Sequence, residues 1–168
     1  MMEVYVRKDS VMKTLIAYTS KTGTTSRVIQ RIAHSLGDCV CVDLRQETPN
    51  VADYDRVIIG SPIRMGRLSH SVSSFIKSNL EEITTRPYGL FILCGLTAAG
   101  EEQLREVYDA ALRNGAVACA CFGGELNLEN LKQTDQVLVQ MALDSQSDIP
   151  RATLNWDAVD SFIDAFAE

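Results

Sequence analysis

No stretch of this 168-residue chain reaches the roughly 18 uncharged apolar residues that a membrane helix needs. The longest uncharged run, residues 87–100, is short and broken by Gly and Thr. Basic charge is in deficit as well. Sixteen Lys+Arg face 22 Asp+Glu, a net charge of −6, which disfavours a nucleic-acid binder of the basic-patch kind. Low complexity is missing: 46% apolar and 23% charged residues describe a well-cored globular chain rather than a disordered or collagen-like one. Residues 1–12 carry Glu3, Arg7, Lys8 and Asp9 without an apolar core, and so read as an extension rather than a secretory signal. Five cysteines, an odd number, fit reduced, buried thiols in a cytoplasmic protein better than a disulfide framework.

What is present is alternation. Apolar strand-like runs cover residues 14–18, 40–44, 56–60, 90–94 and 116–122, several of them continuous, as parallel strands covered on both faces require. Amphipathic stripes lie between them. Val28, Ile29, Ile32, Ala33 and Leu36 form the first, stopped by Gly37; Val72, Phe75, Ile76 and Leu80 form the second. Leu104, Val107, Tyr108, Ala111 and Leu112 form a third that runs to Gly115, and Trp156, Val159, Phe162, Ile163 and Phe166 a last one behind an Asn155 cap. This order predicts a doubly wound α/β domain: a five-stranded parallel sheet with helices on both faces, and an extra helix over residues 127–142 inserted after the fifth strand.

In such a sheet, ligands sit beyond the carboxyl ends of the strands. The first of these loops reads Thr19, Ser20, Lys21, Thr22, Gly23, Thr24, Thr25 and opens directly into a helix. Neutral hydroxyls and a glycine facing the positive end of a helix suit a phosphate group. In isolation such a cluster more often reads as a helix cap and turn; at the carboxyl end of a first parallel strand the anion site is favoured. Competing signatures are missing. No G-x-G-x-x-G and no G-x-x-x-x-G-K-[ST] occurs. Cys39 and Arg45 keep a phosphatase-like spacing, yet the residues between them are a strand. A receiver domain needs carboxylates where this chain has Tyr18–Thr19 and Gly60–Ser61.

Ser20 to Thr25, following Ile16, Ala17 and Tyr18, resembles the S-x-T-G-x-T phosphate loop of the flavodoxins. The second loop, Gly60, Ser61, Pro62, Ile63, Arg64, Met65, Gly66, resembles the loop on one flavin face in that family. It is closest to the menaquinone-dependent protoporphyrinogen oxidase branch, as is the tail of Phe122, two glycines, an inserted helix and Leu154 to Asp157. The resemblance covers residues 12–168, and implies a flavodoxin-like FMN-binding domain over 13–168 behind the 1–12 extension. It implies FMN as cofactor rather than FAD or NAD. Thr19, Ser20, Lys21, Thr22, Gly23, Thr24 and Thr25 would hold its phosphate. Pro62, Ile63, Arg64, Met65 and Gly66 would line one side of the ring, and Cys94, Gly95, Leu96 and Thr97 the other.

Neither flavin loop contains an aromatic residue, and residues 94–100 carry no charge. Two functional classes follow. One is an FMN-dependent oxidoreductase of the protoporphyrinogen oxidase type, passing electrons from a tetrapyrrole to a quinone. The other is an electron carrier that docks onto redox protein partners, favoured by the acidic charge and short third loop. No catalytic residue is assigned, but Arg64 is the candidate for tuning the flavin. No metal site is expected, because the pairs Cys39/Cys41 and Cys119/Cys121 supply too few convergent ligands. His34 reads as a surface residue and His70 as a helix-start residue. The stripe Leu128, Leu131, Leu138 and Met141 reads as packing, with a peripheral membrane contact as its other use.

Overall fold

The structure is a computed structural model that describes residues 11–20, 23–95, 100–124, 133–145 and 153–167. Five parallel strands form one sheet in the order β2-β1-β3-β4-β5. They are β1 (Thr14–Tyr18), β2 (Cys39–Asp43), β3 (Arg56–Pro62), β4 (Tyr88–Leu93) and β5 (Ala118–Cys121). The reversal of strand order falls at β1, between β2 and β3, which is where a doubly wound sheet opens its crevice.

The sheet's pleat sends alternate residues to opposite layers. From β1, Leu15 and Ala17 enter one core with Val57, Ile59, Leu90 and Ile92. That layer is closed by α2 (His70–Ser78), α3 (Leu80–Thr84), α4 (Gly100–Val107) and α5 (Ala110–Gly115), through Val72, Phe75, Ile83, Leu104, Tyr108 and Leu112. Ile16, Ile58, Phe91 and Leu93 face the other layer. There α1 (Thr24–Leu36) and α7 (Trp156–Ala167) supply Val28, Ile29, Ile32, Val159, Phe162 and Phe166. The three interior strands, β1, β3 and β4, are buried on both faces, which explains why their sequences run apolar without alternation.

Three of the expected elements change. The stripe from Leu104 to Leu112 is two helices, because Asp109 is extended and its carboxylate caps α5 by accepting from Leu112 N–H at 2.8 Å. The stripe ending at Leu80 is also broken: Asn79 leaves helical geometry and its side-chain amide donates to the Phe75 carbonyl, so Leu80 starts α3 and is 45% exposed. The fifth strand is shorter than its apolar run. β5 ends at Cys121, although Phe122 N–H still donates to the Ile92 carbonyl at 3.0 Å; the Phe122 ring stacks on Phe91 at 4.9 Å and meets Phe162 edge-on at 5.4 Å.

Gly37 ends α1 with φ 65°, and Asn155 caps α7 by accepting from Ala158 N–H. The inserted helix is present as α6 (Gln133–Ser145); residues 127–132 of the expected span, with Leu128 and Leu131, lie outside the described residues. Leu138 and Met141 are exposed rather than packed. No helix among the described residues is long and apolar enough to cross a membrane.

The thiols divide. All five cysteines are free. Only Cys94 is buried; Cys39, Cys119 and Cys121 are half-buried and Cys41 is exposed. The two edge strands carry the last four, and an edge strand lacks a neighbour to cover it. Burial first, and then the neighbouring Cys41, pushes the Cys39 thiol up to about 11; burial pushes Cys119 up to about 11 as well.

Candidate functional site

The carboxyl ends of β1, β3 and β4 converge on one edge of the sheet. From β1 the chain passes through Thr19 and Ser20, both buried, to Gly23 and then α1. Gly23 adopts φ 84°, a left-handed conformation open to glycine. A Cβ built there meets nothing within 4 Å, so space lies beside the helix end. The first turn of α1 contains no acidic residue to neutralise its dipole. Thr24 and Thr25 start the helix and are buried. Most telling is Ser20, whose Oγ is buried and has no hydrogen-bond partner. An unmet buried hydroxyl costs free energy, and one placed at an uncapped helix N-terminus fits an oxyanion. The residues present therefore fit a phosphate. Lys21 and Thr22 lie outside the described residues.

A chain of hydroxyls, unforeseen in the sequence, ties the first loop to the second. Thr19 Oγ1 donates to Ser69 Oγ at 2.9 Å, and Ser69 N–H donates to Ser61 Oγ at 3.0 Å. Ser61, fully buried, donates in turn to the Pro62 carbonyl at 2.8 Å. Ser69 also caps α2 by accepting from Val72 N–H, so the cap is Ser69, and His70 is the first helical residue. The individual serines are unremarkable in a sequence; only the fold brings 19, 61 and 69 together.

The second loop leaves β3 as a tight reversal. Ile63 N–H still reaches the Leu93 carbonyl at 2.8 Å, then Arg64 and Arg67 exchange backbone hydrogen bonds at 3.1 and 3.0 Å. Between them Met65 and Gly66 have φ 51° and 71°, a reversal that demands left-handed backbone at both positions. The geometry pushes Met65 outward, 82% exposed. Arg64 and Gly66 are also exposed, with Pro62 and Ile63 half-buried beneath them.

The third loop starts at buried Cys94 and half-buried Gly95; Leu96 and Thr97 lie outside the described residues. Its base is clamped by β5's exit. Cys94 N–H donates to the Gly123 carbonyl at 2.8 Å, and a Cβ on Gly124 would sit 3.1 Å from both the Cys94 carbonyl carbon and Gly95 N. Gly123, at φ 71°, is pressed against the Thr153 carbonyl. The two glycines thus let the tail cross directly behind the third loop. At the rim on the other side, the Arg45 side chain bonds Asp43 in a two-pronged pair and holds that carboxyl below its usual range. Among the described residues no cluster of metal-ligating side chains occurs.

A parallel α/β sheet with an oxyanion-fitting first loop, a glycine reversal after β3 and a clamped third loop defines a doubly wound ligand-binding domain. A family model described as flavodoxin domain matches residues 15–150, and the chain belongs to that family. Among curated relatives, a protoporphyrinogen IX dehydrogenase [quinone] of Leishmania major is 27% identical over 92% of this chain and 74% of its own. The protein of the same name from Escherichia coli K12 is 24% identical over 79% of each chain. Among solved structures, a flavodoxin, WrbA-like protein from Agrobacterium tumefaciens aligns with TM-score 0.52 and 14% identity, covering 83% of this chain and 99% of that one. A Fusobacterium nucleatum flavodoxin bound to flavin mononucleotide aligns with TM-score 0.48 and 23% identity over 65% and 70%.

Proposed function

We propose that this chain is an FMN-dependent oxidoreductase of the flavodoxin type that takes hydrogen from a tetrapyrrole and delivers electrons to a quinone. The observation that carries the cofactor is the unpartnered, buried Ser20 Oγ at the open end of α1. The substrate pair comes from the names of the curated relatives. In this reading Thr19, Ser20, Lys21, Thr22, Gly23, Thr24 and Thr25 hold the phosphate. Residues 62–66 cover one side of the flavin, and Cys94, Gly95, Leu96 and Thr97 the other. FMN, when bound, supplies the two-electron acceptor chemistry. The protein binds it, orients it and sets its electrostatics.

Arg64 is the residue assigned to tuning. Reduced flavin near neutral pH is an anion, and a guanidinium on its loop favours that form. At an effective dielectric near 20 such a charge contributes on the order of a kcal/mol, or tens of millivolts. Redox titration of wild type and Arg64→Ala reads it directly: the variant's potential falls, and an unchanged or raised value removes the role.

A second reading, an electron carrier docking onto redox proteins, is favoured by the net charge of −6. Anaerobic mixing of FMN-loaded protein with protoporphyrinogen and menaquinone separates the two. Porphyrin fluorescence appearing in step with quinol supports the oxidoreductase. Reduction by a protein reductase with no turnover of the porphyrinogen supports the carrier.

A further inference from the structure

Beside the second loop lies a cleft of about 390 Å³, lined by Gly66, Arg67, Leu68, His70, Ser73, Glu106 and Val107. It runs between the start of α2 and the end of α4, with Gly66 of the reversal in its lining. Leu68 and Val107 supply its apolar lining. Two groups make it more than a crease. Arg67 and His70 make no side-chain hydrogen bond or ion pair among the described residues. Other arginines of the fold are committed: Arg31 to Asp160, Arg45 to Asp43, Arg86 to Glu82, and Arg56 to Thr14 and the Phe166 carbonyl.

Glu106 is the one carboxylate of the lining, and it is partly occupied, since Gln103 Nε2 donates to its Oε2 at 3.2 Å. The other end of that amide is unsettled. Gln103 Oε1 is buried, has no hydrogen-bond partner, and lies 3.8 Å from where a Cβ on Gly66 would be. The wall of the cleft next to the reversal is thus incomplete in its hydrogen bonding.

Resting on the FMN reading above, we infer that Arg67 and His70 form a carboxylate-binding subsite that holds an acidic arm of the tetrapyrrole, making them specificity-determining residues for a carboxylate-bearing substrate. Arg67 offers the fork that matches a carboxylate with two parallel bonds. His70 adds an N–H donor at the first turn of α2, where the helix end is positive. Leu68 and Val107 cover the apolar stem that joins such a carboxylate to a ring.

The test uses FMN-loaded protein titrated with protoporphyrin IX and with its dimethyl ester in one detergent buffer, binding being read by porphyrin fluorescence anisotropy. The diacid binds at least tenfold more tightly than the diester, because the ester removes the charge-assisted pair. Arg67→Met abolishes that preference while diester binding is unchanged. Glu106→Gln tightens diacid binding several-fold by removing the opposing charge, an outcome that a merely damaged fold does not produce. Equal binding of the two porphyrins by wild type, no binding of either, or an intact preference in Arg67→Met overturns the subsite. Failure to take up FMN overturns the underlying reading as well, and is seen separately in the flavin absorbance.

Discussion

Ser20 carries two opposite consequences in one oxygen atom. Without an anion its buried Oγ is unpartnered, a cost of about 1 to 3 kcal/mol. With a phosphate it becomes a charge-assisted donor. Ser20→Ala therefore weakens FMN binding about tenfold or more, while leaving the flavin-free protein as stable as wild type or more stable. Flavin fluorescence titration and urea unfolding of the flavin-free protein measure the two effects; a variant that loses stability and keeps its affinity contradicts the assignment. The thiols give a second test at this scale. An unfolded thiol ionises near 9.0, but Cys39 and Cys119 are pushed up to about 11 in the fold. Between those values the folded chain binds more protons than the unfolded one, so stability falls as pH rises through that window and is complete below it. Urea midpoints between pH 8 and 11 decline for wild type, and a Cys39→Ala/Cys119→Ala variant shows a shallower decline. Single residues were only partly legible in the sequence. Ser20 was, because a hydroxyl cluster opening a helix has a chemical use. The Thr19–Ser69–Ser61 relay was not, since residues 50 and 8 positions apart carry no local pattern.

Elements were legible where apolar period and a terminal cap agreed. Gly37 and Asn155 mark true ends. In the sequence α4 and α5 read as one helix because the apolar stripe continues in register across the break. The break is set by a competing local bond, Asp109 to Leu112 N–H, and by Tyr108, whose buried hydroxyl donates to the Phe91 carbonyl at 3.1 Å. The strand ends matter more for the site. Gly60 pairs with Phe91 across β3 and β4, and a methyl on Gly60 would overlap the Phe91 ring. That ring has no room to retreat, being stacked on Phe122 and edge-on to Phe162 at 6.1 Å. Gly60→Ala is expected to destabilise the fold by about 1–3 kcal/mol through overpacking. Because β3 feeds the second loop directly, FMN affinity falls too. Chemical unfolding with parallel flavin titration checks both, and a variant of wild-type stability would mean the Phe91 ring can move aside.

At the scale of the molecule, the sheet separates holding from binding. The candidate site occupies the carboxyl edge; the amino edge is fastened by Arg56 at the start of β3. Its Nε donates to Thr14 Oγ1 at 3.0 Å and its Nη1 to the Phe166 carbonyl at 2.6 Å, with the guanidinium 5.6 Å from the Phe166 ring centroid. One side chain thereby joins β1, β3 and the last turn of α7. The helix has a second fastening, Asp160 to Arg31 on α1, with Arg31 also over Trp156 at 5.3 Å. Arg56→Met keeps the apolar stem but deletes charged hydrogen bonds worth about 1.5–3 kcal/mol each and leaves two acceptors unpaired. It should loosen α7 and lower stability by about 3 kcal/mol or more. Since the arginine lies a full strand length from the first and second loops, the FMN dissociation constant is expected to stay the same. Mass action then fixes the outcome: flavin at a hundred times its dissociation constant raises stability by about 2.7 kcal/mol in wild type and variant alike. Thermal unfolding with and without FMN reads this as two parallel shifts from different starting points. A smaller shift in Arg56→Met would show that the amino-edge anchor and the carboxyl-edge loops are coupled through the sheet.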